Sequence, residues 1–524
     1  MIKRLAVLLA FFIAAGCSTP TEAPREPGAA APEEEEGDPA RDAWVLPDEM
    51  GAIYQEQCAV CHGTKLEGAA QGPSLLAVPF THGDSVAEVT TSIQEGYPTK
   101  GMPAWKGIIP PDDIRGVAIY ILEQRDLLED AARQGIGKPP EIPAGPQESE
   151  VHDFVLEPVY DGLKEPYAIA VLPDGRLLVT EKMRGLSLIE ADGSKVVAVT
   201  GTPRFYDDSV LRGVTYTGTG WAHDVALHPD YESNGWIYLS YGDRCEDCNA
   251  TARETGLPVS MLKLVRGRLD GDVWTDQETI WEAPLESYQA GAENGAGARI
   301  AFDGDGHVFL SLGSFTDYRG IQDLSLPYGK IVRMHDDGRT PADNPFVGVA
   351  GALPSIYTLG HRNPQGLDFD VRRGVLWSSE HGPRGGDEGN IILSGGNYGW
   401  PLVSLGVDYD GRPIHYAEEY EIEFDPDDLE PPVIDWTPSP GVSGIVFYRG
   451  DAFPSWQDQL LVCTLGGNDL LRIVVDETGA QHSETLIRDL GRFRDVAVGP
   501  SGDVVLILEH SAGSQVLRVT PAEP

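Results

Sequence analysis

The residues with the most specific chemistry are Cys58-Ala59-Val60-Cys61-His62. Two thiols one helical turn apart can form thioethers with the vinyl groups of a haem, and the next residue offers an imidazole to the iron. The spacing therefore predicts a covalent c-type haem on Cys58 and Cys61 with His62 as axial ligand. A redox-active CxxC would sit in a βαβ context, which the flanks do not supply. Met102 follows His62 by 40 residues in the loop Gly101-Met102-Pro103 and is the candidate sixth ligand. A methionine there could also be packing, but its place beside proline in a glycine loop favours ligation. With His and Met on the iron, both axial positions are filled, which suits electron transfer. Cys245 and Cys248 form a second CxxC without a following His, and the first reading is a loop disulfide. Cys463, in the apolar run Leu460-Leu461-Val462-Cys463, reads as a buried free thiol.

The elements around the haem motif are helical. Residues 44–125 resemble small class I cytochromes c, an all-α fold. Pro47 to Gln57 reads as the first helix, and Gly72-Pro73-Ser74-Leu75 as the loop beside the proximal His. Gly101 to Trp105 reads as the distal loop and Pro110 to Leu122 as the closing helix.

Lys3 and Arg4 precede an apolar run from Leu5 to Ala15, too short for the ~20 residues of a spanning helix and typical of an export signal. Cys17 after Ala14-Ala15-Gly16 resembles a lipobox, so 1–17 reads as a lipoprotein-type signal that places the protein in the periplasm on a lipid anchor. A plain secretory peptide is the other reading. Residues 18–43, rich in Pro, Ala and Glu, read as a disordered tether. The 524-residue chain carries 39 Lys+Arg against 82 Asp+Glu, a net charge of −43 that argues against nucleic acid or an anionic membrane surface as a partner.

A linker is expected over 126–150, and beyond it short apolar strands and Gly or Asp turns repeat. Copies begin near Ala168, Asp224, Arg299, Gly366, Gly444 and Asp495. Six repeats of about four strands predict a six-bladed β-propeller over 151–524. Phe154 to Val159 is expected to pair into the last blade and close the ring.

Three segments in this domain are more specific: Gly360-His361-Arg362-Asn363-Pro364, Glu380-His381-Gly382-Pro383-Arg384-Gly385-Gly386-Asp387-Glu388, and Gly395-Gly396-Asn397-Tyr398-Gly399-Trp400. With Gly491-Arg492-Phe493-Arg494 they resemble the glucose/sorbosone dehydrogenase family, whose members use pyrroloquinoline quinone (PQQ). The resemblance implies a PQQ cradle of Arg362, Asn363, Arg492 and Arg494, with Arg362 at the catalytic centre. Guanidinium forks suit a planar tricarboxylate. It also implies Ca²⁺ on backbone oxygens of Gly382 and Pro383, and a second Ca²⁺ on Glu388 and Tyr398.

The sequence departs from the family at its reactive residues. The family's catalytic His falls at Gly295, preceded by Asn294; a glutamine falls at Thr219, and a quinone-contacting Lys at Gly466. Losing a general base costs about 10²–10⁴ in rate. His223, where the family has Leu, is the candidate replacement; His361 and His381 are weaker ones, because the family has them beside its own base. The expected function is sugar or alcohol oxidation with PQQ, electrons passing to the haem and then to a respiratory acceptor. The alternative is an electron-carrier cytochrome joined to a non-catalytic propeller.

Overall fold

The computed structural model describes residues 48–76, 80–133, 140–212, 215–291, 293, 295–314, 318–510 and 513–522. Cys17, the signal, the tether and Asn294 lie outside them. Among the described residues, no helix is long and apolar enough to cross a membrane.

The N-terminal domain is all helical. Glu49–Ile53, Tyr54–Cys58 and Ala59–His62 form one run whose backbone widens by a residue at Tyr54–Cys58, just ahead of the second thiol. Asp48 caps its start by accepting from the Gly51 amide at 2.9 Å. Val86–Glu95 is a helix opened by a capping box between Ser85 and Glu88, a Ser-x-x-Glu signal present in the sequence. The last helix, Pro111–Arg133, runs past residue 125 into the expected linker. Ile114, Val117, Ala118, Ile121 and Leu122 set its buried face, and the strong helix formers that follow continue it without a stop signal.

Six antiparallel sheets of four main strands follow; in five the strands pair in chain order, and the sixth takes its outer strand from the start of the domain. The inner strands are Pro166–Val171, Ala222–Leu227, Gly297–Phe302, Pro364–Asp370, Val442–Phe447 and Arg492–Val498. They touch one another in ring order, and we number blades 1 to 6 accordingly. The second blade carries an extra short strand at Gln289–Ala290. Phe154–Leu163 pairs with the C-terminal strand Ser514–Pro521, so the first strand of the domain completes blade 6 and closes the ring as expected. Phe154 and Leu156 on that strand are buried, which stabilises the closure by roughly 1.5–3 kcal/mol each.

Carboxylates pin alternate pairs of blades. Asp224 accepts from the Ile300 amide at 2.7 Å, Asp368 from Phe447 at 2.7 Å and Asp495 from Ile169 at 2.9 Å. Each aspartate lies on one inner strand and reaches the next. Arg299 fills the axis between them, 3.0 Å from Asp495 and 3.6 Å from Asp224, with its guanidinium over the Tyr167 ring. Lys330 is buried, and among the described residues no carboxylate contacts it; its ammonium donates to the Ile321 and Tyr328 carbonyls at 2.7 Å, and burial pushes it down to about 7. Cys245 and Cys248 form a disulfide and Cys463 is a buried thiol, both as expected.

Candidate functional site

In an antiparallel blade the start of the inner strand lies beside the end of the second strand. The register pairs Pro166 with Glu181, Pro364 with Glu380 and Arg492 with Glu509, so all these residues gather at one mouth of the ring. Amides that open the inner strands have no ladder partner there, and buried carboxylates take them up. Glu181 accepts from Lys164 at 2.8 Å, and Glu293 from Gly220 and Trp221 at 2.8 and 3.1 Å. Glu380 accepts from both Arg362 and Asn363, and Asp387 from Val442 at 2.8 Å.

Above this layer the mouth is cationic. Arg494 and Arg492 contact Glu509 at 2.8 and 3.3 Å, and Lys182 lies 3.7 Å from the same carboxylate. Burial alone would raise the Glu509 carboxyl, but Arg494, Lys182 and Arg492 hold it well below the usual carboxylate range. Burial lowers the Lys182 ammonium, opposed by Glu509. Three cations surround one carboxylate, with Glu165 3.4 Å from Lys182 at the rim. The charge surplus suits an anionic ligand. Arg494 and Arg362 each keep a buried Nε without a partner, which fits a carboxylate-bearing cofactor. Asn363 is buried beside them and accepts from Gln365 at 2.8 Å. The sequence reading missed Lys182 and Glu509; aligning the ends of the second strands, where Glu181 and Glu380 also fall, would have found both.

Arg362 lines a pocket with His381, Gly382, Pro383, Glu388 and Tyr398. The structure thus brings the two expected calcium sites to a single pocket. Arg362 donates to the Gly382 carbonyl at 2.7 Å and to the Tyr409 hydroxyl at 2.8 Å. A guanidinium therefore holds the carbonyl that the resemblance assigns to Ca²⁺. Glu388 faces Glu380 across the strand pair, and burial and that charge push it up to about 8. A carboxyl in this position gains from a cation. The Tyr398 hydroxyl donates to Ile391 and accepts from Leu393, so only its carbonyl could serve a metal. Among the described residues, no three His, Cys, Asp or Glu side chains cluster as a metal site, so a cation here would rest largely on carbonyls.

The expected base is sealed. His223 is 1 % exposed, and its Nε2 is 3.1 Å from Glu293, whose second oxygen accepts from Ser260. Its Nδ1 is buried with no partner among the described residues, and the ring stands roughly perpendicular to that of Tyr167, centroids 5.2 Å apart. His223 does not line the Arg362 pocket. His361 is buried between Glu380 and Thr358, and burial lowers His381, which keeps it neutral. Thr219 accepts from Arg244 at 2.9 Å. At Gly295, the position to which the resemblance assigns the family's base, a Cβ would meet nothing within 4 Å among the described residues.

The haem motif is arranged for its group. Cys58 and Cys61 are free thiols, and burial pushes Cys58 up to about 11. His62 Nδ1 lies 2.9 Å from the Pro73 carbonyl, which fixes the proton on Nδ1 and leaves Nε2 for the iron. A Cβ at Gly72 would lie 2.5 Å from the Cys61 carbonyl, so the loop reaches the motif only as glycine. Met102 is held in its loop by paired backbone bonds to Tyr97 and packs against the helical core.

Fold and site together define a redox protein: a propeller with a cationic mouth joined to a helical domain with a haem-attachment motif. Residues 163–518 match the family described as Glucose / Sorbosone dehydrogenase, and the chain belongs to that family. Residues 46–121 match the description Cytochrome C oxidase, cbb3-type, subunit III, and form a cytochrome c domain. The aldose sugar dehydrogenase YliI of Escherichia coli is 35 % identical over 370 residues, covering 70 % of this chain and 92 % of that protein. A crystal structure of the soluble aldose sugar dehydrogenase of E. coli in its apo-form aligns with a TM-score of 0.59 at 34 % identity, over 70 % of this chain and 99 % of that one. Cytochrome c55X of Paracoccus denitrificans is 30 % identical over 76 residues, covering 14 % of this chain and 72 % of that protein.

Proposed function

We propose that this protein is an exported quinohaemoprotein, anchored through Cys17, that oxidises a sugar or another alcohol and passes the electrons to its own haem. The observation that carries the reading is the mouth: Arg362 and Arg494 have buried Nε atoms with no partner among the described residues, and the three cations Arg494, Arg492 and Lys182 outnumber the carboxylates Glu509 and Glu165 that they contact. Arg492, Arg494 and Lys182 would hold the carboxylates of PQQ, with Arg362 and Asn363 on its other side. When bound, PQQ supplies a two-electron acceptor, and the haem supplies one-electron transfer to a respiratory acceptor. Ca²⁺ would be held by the Gly382 and Pro383 carbonyls, and a second Ca²⁺ by Glu388 and the Tyr398 carbonyl, where it would supply positive charge beside the cofactor; Arg362, which donates to Gly382, is the neighbouring cation on this chain. His223 would take the hydroxyl proton at Nδ1 while Glu293 holds Nε2, which requires that Nδ1 be uncovered.

The second reading, a cytochrome on a non-catalytic propeller, is favoured by the sealing of His223, which is 1 % exposed, together with the glycine at 295 where the resemblance expects the base. Calorimetric titration with PQQ and CaCl₂, followed by a sugar panel, separates the two. Binding with turnover supports the first reading, binding without turnover the second, and absence of PQQ binding removes the dehydrogenase proposal.

A further inference from the structure

We propose that the cytochrome domain is a structural part of the propeller's cofactor pocket, so that its docking and cofactor binding are thermodynamically coupled. The inference rests on the reading above, because it takes the Arg362 pocket as the cofactor site.

The turn Gly382 to Gly386 has two faces. On one, Gly382, Pro383 and Gly386 line the pocket, and the Gly382 carbonyl receives Arg362. On the other, the Arg384 side chain enters the helical domain. Its Nη2 is 2.9 Å from Asp48 and its Nε 2.7 Å from Glu123. Those carboxylates come from opposite ends of the domain, the cap of the first helix and the middle of the last. All three side chains are mostly buried, so the pairs are only weakly screened.

A second strip of the propeller completes the bed. Val407 exchanges both backbone bonds with Arg384, at 3.1 and 2.8 Å, and is buried as part of the hydrophobic cluster that forms the cytochrome's core, which also holds Met50 and Ile119. Three residues on, the Asp410 carbonyl accepts from the Glu49 amide at 2.9 Å. Gly411 has φ +87°, and a Cβ there would lie 2.7 Å from Asp48, so the approach requires glycine. Between these contacts Tyr409 holds Arg362 by its hydroxyl. One pair of segments thus carries both the docking contacts and the ligands of the pocket.

Within the propeller the ends of the turn are tied by the Gly382 amide donating to Asp387 at 3.1 Å and the Gly386 amide donating to Thr437 at 3.0 Å, while the Arg384 side chain at its tip is fixed by the cytochrome's carboxylates. Gly385 and Gly386 are left-handed, at φ +70° and +74°, and Val407 is the strip that pairs with it. A glycine-rich turn costs conformational entropy to fix. The cytochrome supplies part of that fixing before any ligand arrives, and by linkage a ligand that fixes the turn tightens the docking by the same factor.

The test uses the full chain with haem attached and compares wild type with the double variant Asp48→Asn, Glu123→Gln. Asn retains the helix cap, and the haem spectrum reports whether the domain is folded. We expect the Kd for PQQ in CaCl₂ to rise about 10-fold, within the usual range of coupling, and amide hydrogen exchange across 382–386 to accelerate. Arg384→Gln should give the same changes, and adding it to the double variant should produce little more. It also serves if the double variant does not fold. Exchange at 382–386 unchanged by breaking the clamp, or a PQQ affinity within twofold of wild type, overturns the coupling. A wild type that binds no PQQ refutes the proposed function instead, while the exchange measurement still decides whether docking holds the turn.

Discussion

In the helical domain, Cys58, Cys61 and His62 lie within about one and a half helical turns, and one contiguous motif specifies them. At the propeller mouth, Lys182, Arg362, Arg494 and Glu509 come from three blades and meet only because each blade brings the same strand ends to one side. The first site depends on local spacing and the second on the closure of a ring. They should therefore fail differently when altered. A change to the haem motif removes its group, whereas a change at the mouth removes one of several partial contributions.

The largest effect is expected at the haem. Replacing Cys58 and Cys61 with Ala should abolish covalent haem entirely, read as loss of haem absorbance from the denatured chain, while the propeller's thermal transition stays in place. Loss of that transition as well would show that the two regions are not separable. Met102→Ala should keep the covalent haem but change its reduced spectrum; an unchanged spectrum removes Met102 as a ligand.

At the mouth, Arg494→Ala should weaken PQQ binding by roughly 10- to 150-fold, the ~1.5–3 kcal/mol of a charge-assisted hydrogen bond. Arg492→Ala should cost less, because that side chain is half exposed and solvent screens it. Equal losses in calorimetry would contradict this ranking.

The base position divides the two readings of the propeller. If His223 abstracts the proton, His223→Ala should lower PQQ-dependent turnover by about 10²–10⁴. Gly295→His meets no clash at its Cβ and should raise turnover. Turnover that exists only after Gly295→His would mark the natural propeller as non-catalytic.

A further effect concerns stability. Lys330 has a folded value of about 7 against an ordinary amine value near 10.4. Between those values the unfolded chain binds more protons, so this group makes stability rise with pH from about 7 to 10. Lys330→Met should lose that rise, checked by denaturant unfolding at pH 7 and 9.5; parallel pH profiles would contradict the assignment.

The same contrast explains what could be read in advance. The Cys58-to-His62 motif, the six repeats and the closing strand Phe154–Leu163 are carried by local pattern, and each is where the sequence placed it. The extension of the last helix to Arg133 was missed because no Gly or Pro ends it near residue 125. The arginines of the mouth were legible through family resemblance, but Glu509 and Lys182 were not, since their meaning comes from partners on other strands. His223 looked available because an imidazole replaces an aliphatic residue. Its buried partner Glu293 lies 70 residues away, and no local pattern connects them.

The central claim is that both sites work in one chain, and one measurement tests it most directly. The haem-loaded protein is given PQQ and CaCl₂, then a panel of sugars without any added electron carrier, while the haem spectrum is followed. The account predicts that the reduced-haem bands appear with at least one sugar, only when PQQ is present, and at a first-order rate independent of protein concentration, since the electrons stay within the chain. An oxidised haem spectrum that no sugar changes, in protein shown by calorimetry to hold PQQ, would contradict it.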